Sequence, residues 1–473
     1  MRTSLSIILS IIAVVVHIMP VAARPPEADV VTKLPARIED ATVAGGGRFI
    51  VMRLKGSRDL AVYDATTQKL SQIELPEEDF LFAAGGDTAV VFLREKNEIR
   101  SLDLKTGKIL KAKEFIDRPN LGVILMGHSR DDLALLRMGR PPIGPAAPDL
   151  LLDVPELRVN QVKYQYGTTG GKPGEMNQLR ANGDMTRLVE WAAIPQPNGA
   201  GVLSRTETGY SYLFGYVAVG PVFPGDDGRV FTALGTTMEP DPAYNPAHGG
   251  SPFKISAAVK ARTLVPGIGG QFHIGVSREG GLTLYQAKSA DPVCPLGDFP
   301  GWLPIKPDLN NVTIPGGGNG FRLPDGRVMQ LEDMGPGAVG EGKETLTLDR
   351  RIVFAPALGH IVFIPHSNDR IVQRSFDLKS TLDQTGDEYL MVLSSPVLRV
   401  KGGTAWEYQL RSVAKNAPVK FELVRSPEGM TIAADGKMAW TAPKGIIGKA
   451  PVEVKLIDGK GHSLRQAFDV VID

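Results

Sequence analysis

The chain has 473 residues, with 53 Lys and Arg against 52 Asp and Glu, so its formal net charge is only +1. This balance provides no overall field to attract nucleic acid or an anionic membrane, and no nucleic-acid partner is expected. Cys294 is the only cysteine, which excludes an intrachain disulfide and leaves stability to side-chain packing. With 53 glycines and 36 prolines, the composition favours short strands joined by tight turns over helices.

The first 23 residues have the features of an export leader. Arg2 precedes an apolar run at residues 5–16, and Pro20 is followed by the small residues Ala22 and Ala23. Cleavage after Ala23 is therefore predicted, because a retained anchor would need an apolar run of roughly 20 residues. The sequence predicts an exported protein in the periplasm, at the cell surface or outside the cell, with no membrane span after cleavage.

A repeat with a period near forty occupies residues 49–110. Asp64 in the first copy matches Asp103 in the second, and at the same offset Thr67 matches Thr106. Paired strands and a polar turn in each copy are typical of β-propeller blades. Because both aspartates recur at one position of the repeat, they are predicted to stabilise turns and not to catalyse a reaction.

Further blade beginnings predict a propeller over residues 30–394. They occur near seven positions, which indicates about seven blades, although their uneven spacing leaves six or eight open: Gly45, Gly85, Ser129, Asn198, Asp227, Gly270 and Leu358. Asp131 and Asp132 lie at one of these beginnings and are interpreted as turn residues. The segment 30–47 is the candidate for an N-terminal strand that closes the ring by pairing with the last blade.

The rhythm breaks between residues 140 and 196, where prolines and glycines accumulate. This region is predicted to be an insertion, with a short helix around residues 174–179. Loops on a rigid scaffold often carry binding specificity, so Lys163, Tyr164 and Tyr166 are candidate contact residues. An ordinary solvated loop is the alternative.

An aromatic ladder follows at Tyr210, Tyr212, Phe214 and Tyr216. Period two places these rings on one face of a strand. On an exposed face they could stack against sugar rings or a partner, which makes Tyr210 and Tyr212 candidate binding residues. The alternative is that the rings pack between neighbouring blades.

No catalytic or metal-binding motif is recognisable. His248, His273, His360 and His366 are scattered, without the spacing of a zinc site. Cys294 has no charged activator nearby in sequence and is predicted to be a buried, unreactive thiol. Neither catalytic nor metal-ligating residues are therefore assigned.

Residues 396–473 show a new β pattern. Short alternating segments surround Trp406 and Phe421, and Asp-Gly turns occur at Asp435 and Asp458. About seventy-five residues in several short strands predict a small β-sandwich in which Trp440 belongs to the core.

Two resemblances refine this prediction. The C-terminal region resembles the immunoglobulin-like, cadherin-like modules of exported bacterial proteins, at Pro427, Gly429, Met430, Ile432, Gly436, Trp440, Pro443, Asp458 and Gly459. The remainder resembles exported bacterial WD40-like, YVTN-type propellers in blade rhythm only, without Trp-Asp blade endings. Some cadherin-like relatives bind calcium. Here Asp435, Asp458 and Asp469 are isolated, and calcium needs several converging oxygens, so no cofactor is expected, with calcium as the alternative.

The sequence therefore predicts an all-β, exported, non-enzymatic binding or scaffold protein. Propeller loops would contact a protein, peptide or glycan of the cell envelope, with the sandwich as spacer or second contact module. A hydrolase or lyase with its site in the central channel is the alternative, because propellers bring polar groups from several blades together there. A structural envelope spacer is the third reading.

Overall fold

The computed structural model describes residues 28–115, 121–139, 148–166, 178–191, 199–206, 209–215, 221–232, 235–241, 244, 252–259, 261, 263–287, 291–302, 320–322, 328–330, 346–394, 396 and 398–472. The predicted leader, residues 1–23, lies outside these ranges. None of the helices in the described ranges is long and apolar enough to cross a membrane.

Strands close in sequence build successive sheets, which are antiparallel except where β14 (Lys163–Tyr166) pairs parallel with β18 (Gly209–Gly215). After β1 (Val30–Lys33), sheet 1 contains β2 (Ile38–Ala44), β3 (Phe49–Leu54), β4 (Asp59–Asp64) and β5 (Lys69–Glu74). Sheet 2 contains β6 (Phe80–Ala84), β7 (Thr88–Leu93), β8 (Glu98–Asp103) and β9 (Ile109–Glu114). Sheet 3 contains β10 (Leu121–Met126), β11 (Leu133–Met138), β12 (Leu150–Asp153) and β13 (Arg158–Gln161).

Sheet 4 has five strands: β14 (Lys163–Tyr166), β15 (Gln178–Ala181), β16 (Arg187–Trp191), β17 (Ala200–Arg205) and β18 (Gly209–Gly215). Sheet 5 contains β19 (Val222–Pro224), β20 (Val230–Thr232), β21 (Thr236–Pro240) and β22 (Phe253–Ala258). Sheet 6 contains β23 (Thr263–Pro266), β24 (Phe272–Val276), β25 (Gly281–Gln286) and β26 (Pro292–Asp298). A separate hairpin follows, formed by β27 (Gly320–Arg322) and β28 (Val328–Gln330).

Sheet 7 joins the two ends of the ring. A short helix α1 (Leu348–Arg351) leads into β29 (Ile352–Ala355), β30 (His360–Phe363) and β31 (Arg370–Ser375). The N-terminal strand β1 completes this sheet by antiparallel pairing with β31, with Val31 opposite Val372. The predicted ring closure is thereby confirmed.

The sheets form a β-propeller. The innermost strand of each sheet contacts that of the next, from β2 through β6, β10, β15 and β19 to β23. Sheet 7 contacts sheet 6 through the bond from Ile268 N to Phe354 O (2.9 Å) and sheet 1 through the 3.1 Å contact of His360 Nε2 with Gly47 O. The second strand of a sheet can be buried on both faces by the neighbouring sheets, and all six residues of β7 are buried.

The two repeat aspartates stabilise turns, as predicted. Asp64 Oδ1 accepts hydrogen bonds from the backbone N–H and hydroxyl of Thr66. Asp103 Oδ1 accepts bonds from the backbone N–H and hydroxyl of Thr106, one position later in the repeat, at 2.7 and 2.8 Å. Recurrence at one position of the repeat therefore reflects turn geometry.

The predicted insertion at residues 140–196 is not supported where the structure describes this region. Residues 150–161 supply two strands of sheet 3, and residues 178–191 supply two strands of sheet 4. The predicted helix is wrong at its described end, because residues 178–181 form β15; residues 174–177 lie outside the described ranges. Prolines and glycines interrupt the hydrophobic pattern of this region, which hid the repeat.

The beginning of sheet 4 was also misplaced. We expected it near Asn198, whereas the turn between β15 and β16 is formed by Asn182, Gly183 and Asp184. This Asn-Gly-Asp segment precedes an apolar strand, as Asp131 and Asp132 do in sheet 3. The Asn-Gly-Asp signal is present in the sequence, but it lies within the segment predicted to be an insertion.

A helix α2 (Leu378–Asp383) connects the propeller to the C-terminal region. There the strands are β32 (Leu390–Val392), β33 (Arg399–Val400), β34 (Ala405–Gln409), β35 (Ser412–Ala414), β36 (Lys420–Arg425), β37 (Thr431–Ile432), β38 (Lys437–Thr441), β39 (Gly448–Ile457) and β40 (Ser463–Ile472). They form sheets in the orders β33-β40-β39-β36, β34-β38-β37 and β32-β35. We call this region, residues 390–472, the C-terminal module.

One hydrophobic cluster joins the sheets of the C-terminal module. It contains the predicted core residue Trp440, which is 4% exposed and donates its indole N–H to Glu428 O at 3.1 Å. Alternation along β34 and β38 places apolar residues inward and polar residues outward, as in a sheet with one solvated face.

Removing β1 should open the ring. We compare a chain beginning at Ala28 with one beginning at Leu34, which lacks β1 and the ion pair of Asp29 with Arg374. Loss of the pairing should lower the unfolding midpoint by roughly 5 °C or more. The unpaired edge of β31 should also make the shorter chain associate as its concentration rises. Equal midpoints and a monomeric shorter chain, in calorimetry and sedimentation, would contradict this closure role.

Candidate functional site

The candidate site is built on the turns between the first and second strands of the sheets, here called the A–B turns. Backbone bonds connect these turns around the ring: Gly45 N donates to Gly85 O (2.8 Å) and Ser129 N to Gly183 O (2.9 Å). Contact is so close that a Cβ on Gly85 would lie 1.9 Å from Arg130 O. Glycine is required there because any side chain would separate sheets 2 and 3.

Asp226 in the A–B turn of sheet 5 holds four sheets together. Its Oδ1 accepts from Gly183 N of sheet 4 (2.7 Å), and its Oδ2 accepts from Gly269 N of sheet 6 (2.8 Å). His128 of sheet 3 places its Nε2 3.3 Å from Asp226 Oδ1, with side-chain exposures of 12% and 14%. One carboxylate therefore fixes the relative positions of neighbouring A–B turns.

Each residue of the His128–Asp226 pair stabilises the charged form of the other. Burial favours the neutral imidazole, but Asp226 outweighs this effect and raises the pKa of His128. Burial likewise opposes the carboxylate, yet His128 and the two backbone donors lower the pKa of Asp226 to about 2. Asp226 is therefore ionised at neutral pH, and it favours the charged form of His128.

Asp131 has a similar structural role between sheets 2 and 3. Its Oδ1 accepts from Asp87 N (2.9 Å) and Thr88 N (2.8 Å). The turn interpretation of Asp131 is confirmed. Burial outweighs these donors and raises the pKa of Asp131.

A central channel of about 110 Å³ lies inside the ring, lined by residues of the innermost strands. Arg180 of β15 donates its Nε to Asp349 of α1 at 2.7 Å, and Arg350 pairs with Asp40 of β2. Burial and the nearby Arg350 lower the pKa of Arg180. These ion pairs cross from sheet to sheet, so the channel's charged residues are engaged in holding the ring together.

A larger cleft of about 370 Å³ lies between the A–B turns and the C-terminal module. Propeller turns contribute four carboxylates and one guanidinium, and β33 contributes a second guanidinium; these are Asp131, Asp132, Asp184, Asp226, Arg130 and Arg399. An apolar wall is formed by Pro155, Pro396, Leu398 and Phe468. Asp226 borders both the cleft and the channel.

An ionic contact connects the two sides of this cleft. Asp132 accepts a bidentate pair of hydrogen bonds from Arg130, both at 2.7 Å, and Arg399 Nε approaches it to 3.2 Å. Burial opposes the charge of Asp132, but the two arginines overcome it and lower the pKa of the carboxyl group. Arg411 Nη1 also donates to Ala357 O of sheet 7, at 3.2 Å. The C-terminal module is thus attached to A–B turns on two sides of the ring.

A buried charge network joins sheets 3 and 4 elsewhere in the ring. Arg137 donates to Asp149 Oδ2 at 2.9 Å and to Glu190 Oε2 at 2.8 Å, and all three side chains are at most 8% exposed. Tyr164 donates its hydroxyl to Asp149 at 2.6 Å. Burial and the adjacent carboxylate raise the pKa of Tyr164, so its hydroxyl stays protonated.

The predicted contact residues separate into exposed and internal groups. Lys163 is exposed on β14, and its role in binding stays a prediction, as does that of Tyr166, whose side chain is outside the described residues. Tyr164 is half-buried and satisfies the charge network with its hydroxyl. Neither Lys163 nor Tyr164 is among the described residues that line the cleft.

The aromatic ladder is buried, so the interpretation that places its rings on an exposed face is wrong for Tyr210 and Tyr212. Tyr210 and Tyr212 are 0% and 3% exposed, and they join the cluster that fills the space around sheets 4 and 5. The Tyr210 hydroxyl donates to Met185 O at 3.0 Å. Neither ring is available for stacking on a ligand, because adjacent strands and sheets cover both.

One group of potential metal ligands occurs in the described residues, formed by Glu388, Asp458 and His462. Asp458 Oδ1 already accepts from the backbone N–H groups of Lys460 and His462, at 2.9 and 2.8 Å. Its Oδ2 faces Asn416 and the His462 ring. These hydrogen bonds account for Asp458 and His462 as parts of a closed hairpin turn. The expectation of no cofactor stays a prediction.

The thiol of Cys294 is partly buried against the cluster between sheets 6 and 7. Burial raises the pKa of Cys294 to about 11, so the thiol is protonated at neutral pH. The prediction of an unreactive thiol is consistent with this environment.

Sequence reasoning missed the cleft and its most central residue. Asp226 is visible as part of an Asp-Asp-Gly turn, but nothing in that motif indicates that it reaches three other sheets. Arg399 was not singled out, because its partner Asp132 belongs to a distant part of the sequence, in sheet 3. The repeated polar residues at A–B turns were the available signal.

Comparisons with known proteins do not identify a family. No protein-family model matches, and no curated protein does. The β-propeller domain of Cps50 (Swd1) from Myceliophteria thermophila is 8% identical, with a TM-score of 0.41, covering 74% of this chain and 99% of that one. A chain of a mitotic checkpoint complex is 12% identical, with a TM-score of 0.43, covering 80% of this chain and 99% of that one.

Removing the cation of the buried network should destabilise the propeller strongly. Arg137→Met leaves Asp149 and Glu190 buried without their guanidinium, which should cost about 3 to 5 kcal/mol. Arg58→Met removes an exposed ion pair with Glu74 and should cost less than about 1 kcal/mol. Chemical denaturation measures both. Similar losses for the two variants would contradict the structural role of the network.

The His128–Asp226 pair should make stability depend on pH in a defined direction. The raised pKa of His128 means that its contribution is complete below the unfolded value of about 6.5 and is lost as the pH rises through the folded value. The lowered pKa of Asp226 means that its contribution is present above about 4 and is lost towards pH 2.

His128→Gln measures this effect directly. Between pH 5 and 6 the substitution should lower the free energy of unfolding by about 1.5 to 3 kcal/mol, because a charged hydrogen bond is lost. The difference from the parent protein should shrink towards pH 9. Denaturation curves across this range test it, and a difference that does not change with pH would show that the pair is not ionised.

Proposed function

We propose that this protein is an exported, non-enzymatic interaction protein that holds a segment of a partner protein in the cleft between its propeller and its C-terminal module. The propeller would have seven blades, since seven sheets precede the module, and sheet 7 includes the N-terminal strand. The module would be an immunoglobulin-like, cadherin-like sandwich. Its sheets enclose one core, and Trp440 lies within it.

The cleft is the observation that carries this proposal. It is built by turns from three sheets and by two strands of the C-terminal module, and its charged residues are held in place by hydrogen bonds. Rigid polar groups beside an apolar wall are characteristic of a binding site. Protein interaction at loops of a rigid scaffold agrees with this arrangement.

The chemistry of the cleft favours a basic peptide segment. Four carboxylates face two guanidiniums, so the lining has an excess of negative charge. A Lys or Arg side chain could complement that charge, while a neighbouring apolar residue contacts Leu398 and Phe468. Burial of Tyr210 and Tyr212 removes the aromatic surface first considered for a glycan, so a protein or peptide partner is the better choice.

Export is proposed from the leader pattern at residues 1–23. It would place the protein in the periplasm, at the cell surface or outside the cell. A fold that depends on packing and buried ion pairs, with Cys294 as its only cysteine, requires no disulfide in such a compartment. The partner would then belong to the cell envelope.

A hydrolase is the second candidate, because His128 and Asp226 lie close together where the channel meets the cleft. Ser129 follows His128 directly and lines the cleft. A catalytic triad needs the carboxylate on one ring nitrogen and the nucleophile on the other. Here Nε2 faces Asp226, and Nδ1 has no hydrogen-bond partner among the described residues. The geometry therefore favours a structural pair.

A peptide library displayed on phage tests the cleft. The chain beginning at Arg24 should enrich peptides that combine Lys or Arg with an apolar residue. Binding of synthetic versions should weaken at least about tenfold on Leu398→Lys, which replaces an apolar contact by a charge that repels the basic peptide, as calorimetry can show. Leu110→Lys changes a 58% exposed leucine on β9 and should leave binding intact.

Three outcomes would overturn the proposal. Enriched peptides that bind equally to both variants would place the site elsewhere. Failure to enrich any peptide, together with substrate turnover that is lost in His128→Gln, would favour the hydrolase. Failure in both assays would favour a structural spacer of the envelope.

A further inference from the structure

The loop between β38 and β39 carries exposed apolar side chains at the end of the C-terminal module. Ile446 is 52% exposed and Ile447 is 84% exposed. Residues just before and after the loop return to the core, since Ala442 is 1% exposed and Ala450 is 6% exposed. The two isoleucines are therefore held outside a well-packed sandwich. We call residues 443–449 the isoleucine tip.

The tip projects into open space. Gly445 has a φ of +77°, which turns the chain and favours glycine at this position. A Cβ placed on Gly445 or Gly448 would meet no atom within 4 Å. An apolar pair on a protruding turn is not part of a groove, and it offers little shape for a folded partner to match.

Basic side chains surround these two residues. Lys444 and Lys449 flank them in sequence and are both exposed. Lys401 belongs to an adjacent turn, because a Cβ on Gly403 of that turn would lie 3.5 Å from the Lys444 side chain. No acidic residue occurs in residues 401–405 or 442–450, although Glu156 of the propeller lies near enough to Lys401 to interact with it electrostatically. The local charge around Lys444 and Lys449 is therefore positive, although the chain as a whole is nearly neutral.

We propose that the isoleucine tip inserts into the surface of an anionic lipid bilayer. The Ile446 and Ile447 side chains would enter the boundary between headgroups and acyl chains. The lysine ammonium groups would remain at the level of the lipid phosphates, because their long side chains let them reach the interface. Binding by two apolar side chains and three lysines is weak and reversible, which suits a peripheral contact. This inference does not depend on what occupies the cleft.

Vesicle co-sedimentation tests the tip in the chain beginning at Arg24. The protein should sediment with vesicles of equal parts phosphatidylcholine and phosphatidylglycerol, and far less with phosphatidylcholine alone. Ile446→Ser with Ile447→Ser should lower partitioning roughly tenfold or more. Lys444→Gln and Lys449→Gln should each lower it roughly fivefold and weaken its dependence on salt.

A matched control comes from the propeller. Ile109 and Leu110 on β9 are 53% and 58% exposed, so Ile109→Ser with Leu110→Ser removes a similar apolar area and should leave partitioning unchanged. Absence of the parent protein from the anionic pellet would overturn the proposal. Equal partitioning of the parent and the Ile446–Ile447 double variant would overturn it too.

Fluorescence gives an independent readout of insertion. Cys294→Ser removes the only cysteine, so Ile447→Cys can then be labelled alone with an environment-sensitive dye. Anionic vesicles should shift its emission to the blue, whereas a dye on Ile109→Cys in the same background should not shift. The same shift at both positions would show general adsorption and contradict insertion by the tip.

Discussion

The propeller depends on polar side chains that reach from one sheet to the next at its A–B turns. Apolar faces alone allow sheets to slide and rotate against each other, since burial is largely insensitive to direction. Asp226 removes this freedom by binding backbone groups of sheets 4 and 6 while facing His128 of sheet 3. Asp131 does the same between sheets 2 and 3. Directional hydrogen bonds at the A–B turns thereby set the relative positions of the sheets. The hydrophobic clusters between the sheets stabilise that arrangement.

The same turns also position the C-terminal module. Asp132 follows Asp131 and pairs with Arg399, so the residue that orders sheet 3 is adjacent to the one that attaches the module. The cleft therefore has a floor made of structural residues, and its charges cannot be altered without changing the ring. Binding specificity is more readily adjusted on the opposite wall, where Leu398 and Phe468 belong to the module. The tip at residues 443–449 lies in the same module, so the smaller part of the molecule contributes to both proposed contacts.

The sequence predicted architecture where each signal was local. The period near forty, the closing N-terminal strand and the turn roles of Asp64 and Asp103 all rest on patterns within one sheet or at the chain's beginning. Sheet 4 was missed because its Asn182-Gly183-Asp184 turn lies among prolines and glycines that suggested an insertion. Tyr210 and Tyr212 show a further limit: period two identifies a shared face, but only the neighbouring sheet determines whether that face is buried. Contacts such as Arg399 with Asp132 join distant segments and leave no local pattern.

Closure by β1 has a consequence for the order of folding. Its partner β31 lies at the far end of the propeller's sequence, so the pairing closes a very long loop and must follow most other contacts. Sheets 1 to 6 are built mainly from strands close in sequence and can assemble from local hairpins, except for the parallel pairing of β14 with β18 in sheet 4. Until β31 is available, sheet 1 and the sheet formed last each have one face that no neighbouring sheet covers. During synthesis β1 would therefore remain unpaired until β31, near the end of the propeller, has been synthesised. Ring closure is then the slow step, and the propeller is exposed to misassembly until it is complete.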